Sequence, residues 1–176
     1  MQPSQKKKNL QHYLKNYMYI CIYNFCSNMD VEKTIKTEKR LSLQSKSVIH
    51  LLLVQNKINE SAHIALKPFK VSLQQFNVLR ILRGQKGTPA NLSTINERMV
   101  TKMSNTSRLI DKLIAKELVG RVTCEKNRRK VEINITHNGL KALEKMDIAM
   151  LLSENELLKT FTEDELVQLN QLLNQF

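Results

Sequence analysis

Four basic side chains crowd into one short stretch of the chain, where they could bind a polyanion. The stretch, "CEKNRRKVEIN" (124–134), carries them at Lys126, Arg128, Arg129 and Lys130. Like charges this close together repel one another, and the repulsion costs stability unless a partner of opposite sign compensates it. A turn that only joined two strands would favour Asn-Gly or Asp-Gly and would not need four cations. We therefore expect an acidic partner here, either nucleic acid or a membrane surface.

Charge is unevenly distributed along the 176 residues, whose net charge is +12. Residues 29–136 hold 21 basic and nine acidic side chains, whereas residues 137–176 hold three basic and seven acidic ones. A hydrophobic content of 41% is typical of a globular protein, and the length suits one domain or two small ones. No apolar run reaches the roughly 18 residues of a membrane span. Three cysteines do not make a disulfide framework, so we expect a cytoplasmic protein.

Alternating apolar residues on both sides of the basic cluster predict a β-hairpin. Before the cluster, "VGRVTCE" alternates Val119, Arg121 and Thr123 with their neighbours, and after it "KVEINIT" alternates Val131 and Ile133 with polar residues. The four cations would then lie at the tip of the hairpin.

Helical spacing and capping residues predict the elements around the hairpin. A long helix runs through "LSLQSKSVIHLLLVQNKINESAHIALKPF" until Pro68 stops it, and a capping box of Ser72 and Gln75 opens "SLQQFNVLRILRG". Two short helices follow, "LSTINERM" and "SNTSRLIDKLIAKEL". After the hairpin, Thr136 caps a further helix, and a second capping box opens the last helix at Thr162. The sequence thus predicts a mainly α protein with one small β-hairpin, an α+β fold.

Two short helices followed by a hairpin with a charged tip indicate a winged helix-turn-helix domain. In such a domain the second helix enters the major groove of DNA, and the hairpin reaches the backbone or the minor groove. Asn and Arg match the edges of adenine and guanine, and each phosphate that is neutralised releases counterions. Assigning the apolar stripe of the second helix to the core leaves an outer face of Ser104, Asn105, Thr106, Arg108, Lys112 and Lys116. The predicted wing contacts are Lys126, Arg128, Arg129 and Lys130.

Most of residues 72–143 resembles the MarR family of bacterial transcriptional regulators. The resemblance rests on "SLQQFNVLRIL", "RLIDKLIAKELVGRV" and "NRRKVEINITHNGLKAL". The last two are close to the family's R-L-V-D-x-L-x-x-K-G-L-V-x-R and D-R-R-x-x-x-x-x-L-T-x-x-G. The resemblance implies a homodimer that binds a pseudo-palindromic operator in double-stranded DNA, and a repressor that a small-molecule effector of unidentified structure releases. It also implies that Arg129 probes the minor groove and that Asp111 supports the wing.

Two residues depart from the family's pattern. Asn127 stands where the family has Asp, so one charge partner is missing from the predicted wing support of Asp111 and Asn127. Glu117 replaces the Gly that ends the recognition helix. A left-handed cap costs about 1 kcal/mol in a residue other than Gly, so we expect the helix end to be remodelled towards Gly120.

These assignments divide the chain into segments with different roles. Residues 1–28 are Lys-rich, hold all four tyrosines and form an atypical N-terminal extension. Either this extension is a poorly ordered arm or Met29 is the true initiator. Residues 29–68 and 137–176 are the predicted helical dimerisation region, and residues 69–136 are the winged helix that binds DNA. The leucines of the first and last helices could instead form an intramolecular bundle.

The remaining residues do not favour catalysis. We expect no enzyme, because no phosphate-binding Gly loop, nucleophile elbow or metal-ligand spacing occurs. Cys124 fits a small buried residue better than a redox sensor, and His50 and His63 lie too far apart on one helix to share a metal. We therefore expect neither a metal nor a cofactor. Two functions stay open: a sequence-specific dimeric regulator, and a winged-helix module that binds RNA or a protein through its basic face.

Overall fold

The structure is a computed structural model that describes residues 29–100, 106–124 and 127–176, with the backbone alone over 123–124 and 127–131. The described helices are α1 (Val31–Thr34), α2 (Leu43–Leu66), α3 (Leu73–Gly84), α4 (Leu92–Arg98), α5 (Thr106–Ile114), α6 (His137–Leu158) and α7 (Glu163–Leu173). A 3-10 turn (Lys67–Phe69) follows α2, and the strands are β1 (Val119–Cys124) and β2 (Asn127–Ile135). The predicted fold class, mainly α with one small hairpin, is confirmed.

Local sequence signals set the ends of the helices. Pro68 lacks an N–H group, and α2 gives way to the 3-10 turn there. Ser72 and Gln75 exchange side-chain-to-backbone hydrogen bonds of 3.2 and 3.1 Å at the start of α3. Asn91 accepts a hydrogen bond of 2.9 Å from the N–H of Thr94 and so caps α4. The predicted stop at Pro68 and the predicted capping box of Ser72 and Gln75 are confirmed.

The chain folds as two compact units. The continuous unit is Leu66–Met150 and contains α3, α4, α5 and the hairpin. The helical unit combines the described residues up to Ala65 with Leu151–Phe176. One boundary between the units falls at the end of α2, and the other falls within α6.

One apolar core holds the continuous unit together. Its largest fully buried side chains come from α2, α3, α4, α5, β2 and α6: Leu66, Phe76, Val78, Leu79, Ile95, Ile110, Leu113, Ile133, Leu143 and Met146. Burying one Leu, Ile or Phe side chain stabilises a fold by about 1.5–3 kcal/mol. The short helix α5 and the hairpin are therefore fixed on one body.

The two strands form an antiparallel hairpin, as predicted. Val119 pairs with Ile135 at its base. Ala90, just before α4, forms a bridge on the other edge of β2, where its backbone N–H and C=O bond those of Ile133 at 3.0 and 2.8 Å. At this point β2 is hydrogen-bonded to β1 on one edge and to Ala90 on the other, and the side chain of Ile133 is buried. The base of the hairpin is therefore held in the core.

Small residues line the contact between α2 and α6 in the helical unit. The hydroxyl oxygens of Ser61 and Ser153 lie 2.5 Å apart, and Ala62 and Ser153 are almost completely buried. Small side chains such as serine and alanine allow two helices to approach closely.

The helical unit also leaves many large apolar side chains exposed to solvent. They are Ile35, Leu43, Val48, Leu51, Leu52, Val54, Ile58, Leu151, Leu158, Phe161, Val167, Leu172, Leu173 and Phe176. Large apolar side chains left in water are available to pack against a partner surface. Within the described chain, no helix combines the length and the apolarity that crossing a membrane requires.

Candidate nucleic-acid interface

Only part of the predicted interface falls within the described residues. Ser104, Asn105 and Lys126 lie outside them. Backbone alone is described for Asn127, Arg128, Arg129 and Lys130, which open β2 at the end of the hairpin opposite the Val119–Ile135 pair. The geometry of the site is therefore built from α5, β1 and the turns that adjoin them.

The helix α5 separates an apolar face from a polar one. Ile110 and Leu113 point into the core, while Arg108 and Lys112 are exposed one turn apart. Among the described residues, no carboxylate lies within ion-pair distance of either cation. Ser107 is exposed on the same helix and was missing from the predicted set. This face can donate hydrogen bonds to base edges or to phosphates.

Thr106 does not belong to that exposed face, so the prediction that it lies on the outer face is wrong. It is 3% exposed, and its hydroxyl donates a hydrogen bond to Oδ1 of Asn96 on α4. The physical reason is its spacing. Thr106 stands four residues before Ile110 and seven before Leu113, which is one face of a helix. Its role is to join α4 to α5.

Lys116 is also placed differently from the prediction, which put it on the outer face of the recognition helix. The helix ends at Ile114, and Lys116 lies in the turn that follows. Its ammonium group donates a hydrogen bond to the backbone carbonyl of Lys70. Burial lowers the pKa of Lys116, and the nearby charges of Lys112 and Lys70 lower it further.

Glu117 ends this turn in the left-handed conformation, with φ of 58°. The N–H of Glu117 bonds the carbonyl of Ile114 at 2.8 Å, and the N–H of Leu118 bonds that of Leu113 at 3.1 Å. These two bonds define a Schellman cap with Glu117 where Gly is preferred. The predicted remodelling towards Gly120 is wrong, because β1 already begins at Val119 and the cap keeps its place.

The start of α6 is clamped onto the same turn. Thr136 donates two hydrogen bonds to the turn. Its hydroxyl donates to the carbonyl of Glu117 at 2.7 Å, and its backbone N–H donates to the carbonyl of Leu118 at 3.1 Å. Its hydroxyl also accepts a bond of 2.9 Å from the N–H of Gly139, so it caps α6 as predicted. A Cβ on Gly139 would overlap the carbonyl oxygen of Leu118 and come within 2.8 Å of Ile135 Cγ1. Only glycine permits this approach.

An ion pair connects the exposed face of α5 with the hairpin. Oδ1 of Asp111 lies 3.5 Å from Nη1 of Arg121 on β1. Both side chains are about half exposed, so the pair contributes little to stability, roughly 0–1 kcal/mol. The ion pair is informative about position, because it shows that the polar face of α5 lies next to β1. Arg121 was missing from the predicted site, since sequence spacing does not tell which strand residue faces a neighbouring helix.

No part of the described chain offers a cluster of three His, Cys, Asp or Glu side chains that could hold a metal ion.

Residues 71–131 match the sequence profile of the MarR family. The chain is similar to the HTH-type transcriptional regulator PecS of Dickeya dadantii (strain 3937), with 31% identity over 108 residues, which cover 60% of this chain and 64% of PecS. It thus spans slightly less than two thirds of the length of that curated relative. These matches confirm the predicted resemblance.

Solved structures are similar in fold. A MarR transcription factor of Planctomyces limnophilus is 28% identical with a TM-score of 0.62, over 78% of this chain and all of that one. BpsR of Bordetella bronchiseptica, whose DNA binding is regulated by 6-hydroxynicotinic acid, is 19% identical with a TM-score of 0.67, over 77% and 97% of the two chains. Apo MarR of E. coli is 23% identical with a TM-score of 0.61, over 78% and 98%. The last two comparisons show the fold alone.

Proposed function

We propose, from the MarR-family match that residues 71–131 carry, that this protein is a sequence-specific, dimeric DNA-binding transcriptional regulator. It acts in the bacterial cytoplasm as a repressor, and a small-molecule effector releases it from its operator. The recognition helix is α5 with the residues just before it, and the wing is the β1–β2 hairpin.

The observation that carries the proposal is the contact between Asp111 and Arg121. Asp111 lies on the exposed face of α5, one turn from Arg108, and Arg121 lies on β1. The face that would enter the major groove therefore borders the hairpin that would follow the backbone. A duplex can then engage both elements at once, as winged helices require.

Within this arrangement the cations have different tasks. Arg108 near the start of α5 is suited to a guanine edge, because the N-terminal residues of a recognition helix contact bases. Lys112 is a point charge suited to phosphate. Arg128, Arg129 and Lys130 on the wing are proposed to neutralise further phosphates, with Arg129 in the minor groove. Binding would then weaken steeply as salt rises.

Dimerisation is proposed to occur through residues 29–68 and 137–176. The support is the exposed apolar surface of the helical unit, which α2, α6 and α7 leave uncovered in the single chain. A two-fold dimer would present two copies of α5 to successive major grooves of a pseudo-palindromic operator. The proposal of an effector is supported by the fold shared with BpsR, which 6-hydroxynicotinic acid regulates.

Selection of genomic fragments by the purified protein tests the proposal and yields the operator. On the selected operator, Arg108→Ala is expected to relax base preference at one position by roughly 1–3 kcal/mol. Lys130→Ala is expected to weaken binding to all sequences and to reduce the salt slope by about 1. Lys145→Ala, an exposed lysine of α6 outside the helix-turn-helix and the hairpin, is the matched control and should bind as the parent does.

Two results would contradict the proposal. One is retention of no duplex at low ionic strength, and the other is tight binding to unrelated single-stranded RNA without operator preference. The second result would favour the RNA-binding module instead.

A further inference from the structure

Three junctions between secondary-structure elements meet at the turn Lys116–Leu118. The first junction is this turn itself, which leads from α5 to β1. The second is Lys70, between the 3-10 turn that ends α2 and the start of α3. The third is Thr136, where β2 passes into α6. Polar contacts tie the second and third junctions to the first, so the turn after α5 is their common point of attachment.

The contact between Lys116 and Lys70 joins residues 46 positions apart in the chain. Lys70 is left-handed, with φ of 54°, and its N–H bonds the carbonyl of Lys67 at 3.0 Å. The carbonyl of Lys70 accepts a hydrogen bond from the ammonium of Lys116. The side chain of Lys116 therefore spans from the end of the proposed recognition helix to the turn that ends α2.

This contact is formed against an electrostatic cost. Lys116 is partly withdrawn from water and lies near the like charges of Lys112 and Lys70, which together lower its pKa. Hydrogen bonds from charged donors are the stronger ones, so the carbonyl of Lys70 compensates part of that cost. A lysine whose only role was to bind a phosphate would have a lower electrostatic energy in the free protein if its side chain extended into solvent, away from Lys112 and Lys70.

The geometry points to Lys116 as a positioning residue: it fixes the C-terminal end of α5 on the carbonyl of Lys70, and does not itself neutralise a DNA phosphate. By holding that end, it sets the angle at which Arg108 approaches the base edges. The inference rests on the proposed function, because the angle of α5 matters to binding only if α5 contacts DNA. Thr136 supports the next residue of the turn through the carbonyl of Glu117.

The test compares Lys116→Gln with Lys112→Gln in the full chain, on the selected operator and on an unrelated duplex of equal length across a salt series. Lys112 is the matched control, since it is an exposed lysine one turn earlier. Lys116→Gln is expected to weaken operator binding roughly tenfold. It should leave unrelated duplex within about twofold and the salt slope unchanged. Lys112→Gln is expected to reduce the slope by about 1 on both duplexes.

A conservative variant and a DNA-free measurement complete the test. Lys116→Arg keeps a charged donor and should restore most of the operator preference, so an Arg variant as impaired as Gln would overturn the inference. Hydrogen exchange of the free protein should be faster at the amides of Lys116 and Leu118 in Lys116→Gln, with α3 unchanged. Unchanged exchange there, or a Gln variant that only flattens the salt slope, would also overturn it. If the parent protein binds no duplex, the proposed function fails, whereas the exchange measurement still decides whether Lys116 anchors the turn.

Discussion

Replacement of Glu117 by Gly should stabilise the protein, because Glu117 holds a conformation that side chains with a Cβ disfavour. Its φ is 58° in a Schellman cap whose two hydrogen bonds do not involve the side chain. The left-handed conformation costs an L-residue about 1–2 kcal/mol. Glycine removes that cost but makes the unfolded chain more flexible, which offsets about 0.4–1 kcal/mol. The net gain in free energy of unfolding is therefore about 0.5–1 kcal/mol.

The assay is urea unfolding followed by far-UV circular dichroism at one fixed protein concentration, since any oligomer makes stability concentration-dependent. With an m-value of about 2 kcal/mol/M, the midpoint of Glu117→Gly should rise by about 0.4 M. Glu117→Ala removes the charge and keeps the strained conformation, so its midpoint should stay near the parent's. Ala115→Gly, two residues earlier and also exposed, lacks the positive φ and should lose about 0.5–1 kcal/mol. Equal midpoints for Glu117→Gly and Glu117→Ala would refute the reasoning.

Two further predictions concern α6 and α7. Gly139→Ala should destabilise the protein by about 1–3 kcal/mol, because the new Cβ would overlap the carbonyl of Leu118; an unchanged urea midpoint would contradict this, and Lys141→Ala on the same helix is the control. Hydrogen bonds from the backbone and the hydroxyl of Thr162 lower the pKa of Glu165 below its ordinary value of 4.5. A lowered pKa means that this cap contributes its stability above pH 4.5 and loses it as the pH falls through the folded value. Thr162→Ala removes the hydroxyl and keeps the backbone N–H, so in an NMR titration of the carboxyl group the midpoint of Glu165 should move part of the way back towards 4.5. A midpoint that did not move would contradict the contribution of the hydroxyl.

The sequence was informative where the cause of a structure is local. Pro68, the capping box at Ser72 and the alternation around the hairpin depend on a few adjacent residues, and all three predictions are confirmed. The match to the MarR family was likewise visible in the spacing of residues between "RLIDKL" and "THNG".

Predictions failed where a tertiary contact or a precise helix end decided the outcome. Thr106 was assigned to the outer face because it is polar, but its hydroxyl finds a buried partner on α4. Lys116 was assigned to a helix that ends two residues earlier. Arg121 was missed because its partner, Asp111, lies on another element. The DNA contacts of the wing residues Lys126, Arg128, Arg129 and Lys130 remain predictions.

The serine pair between α2 and α6 makes two distant positions of the chain interdependent. Each hydroxyl provides the other with a polar partner where almost no water reaches Ser153. Converting Ser61 to alanine would leave the buried oxygen of Ser153 without this partner, whereas converting both serines would remove the need for a partner. Natural or engineered variants should therefore tolerate the loss of the two hydroxyls together better than the loss of the Ser61 hydroxyl alone.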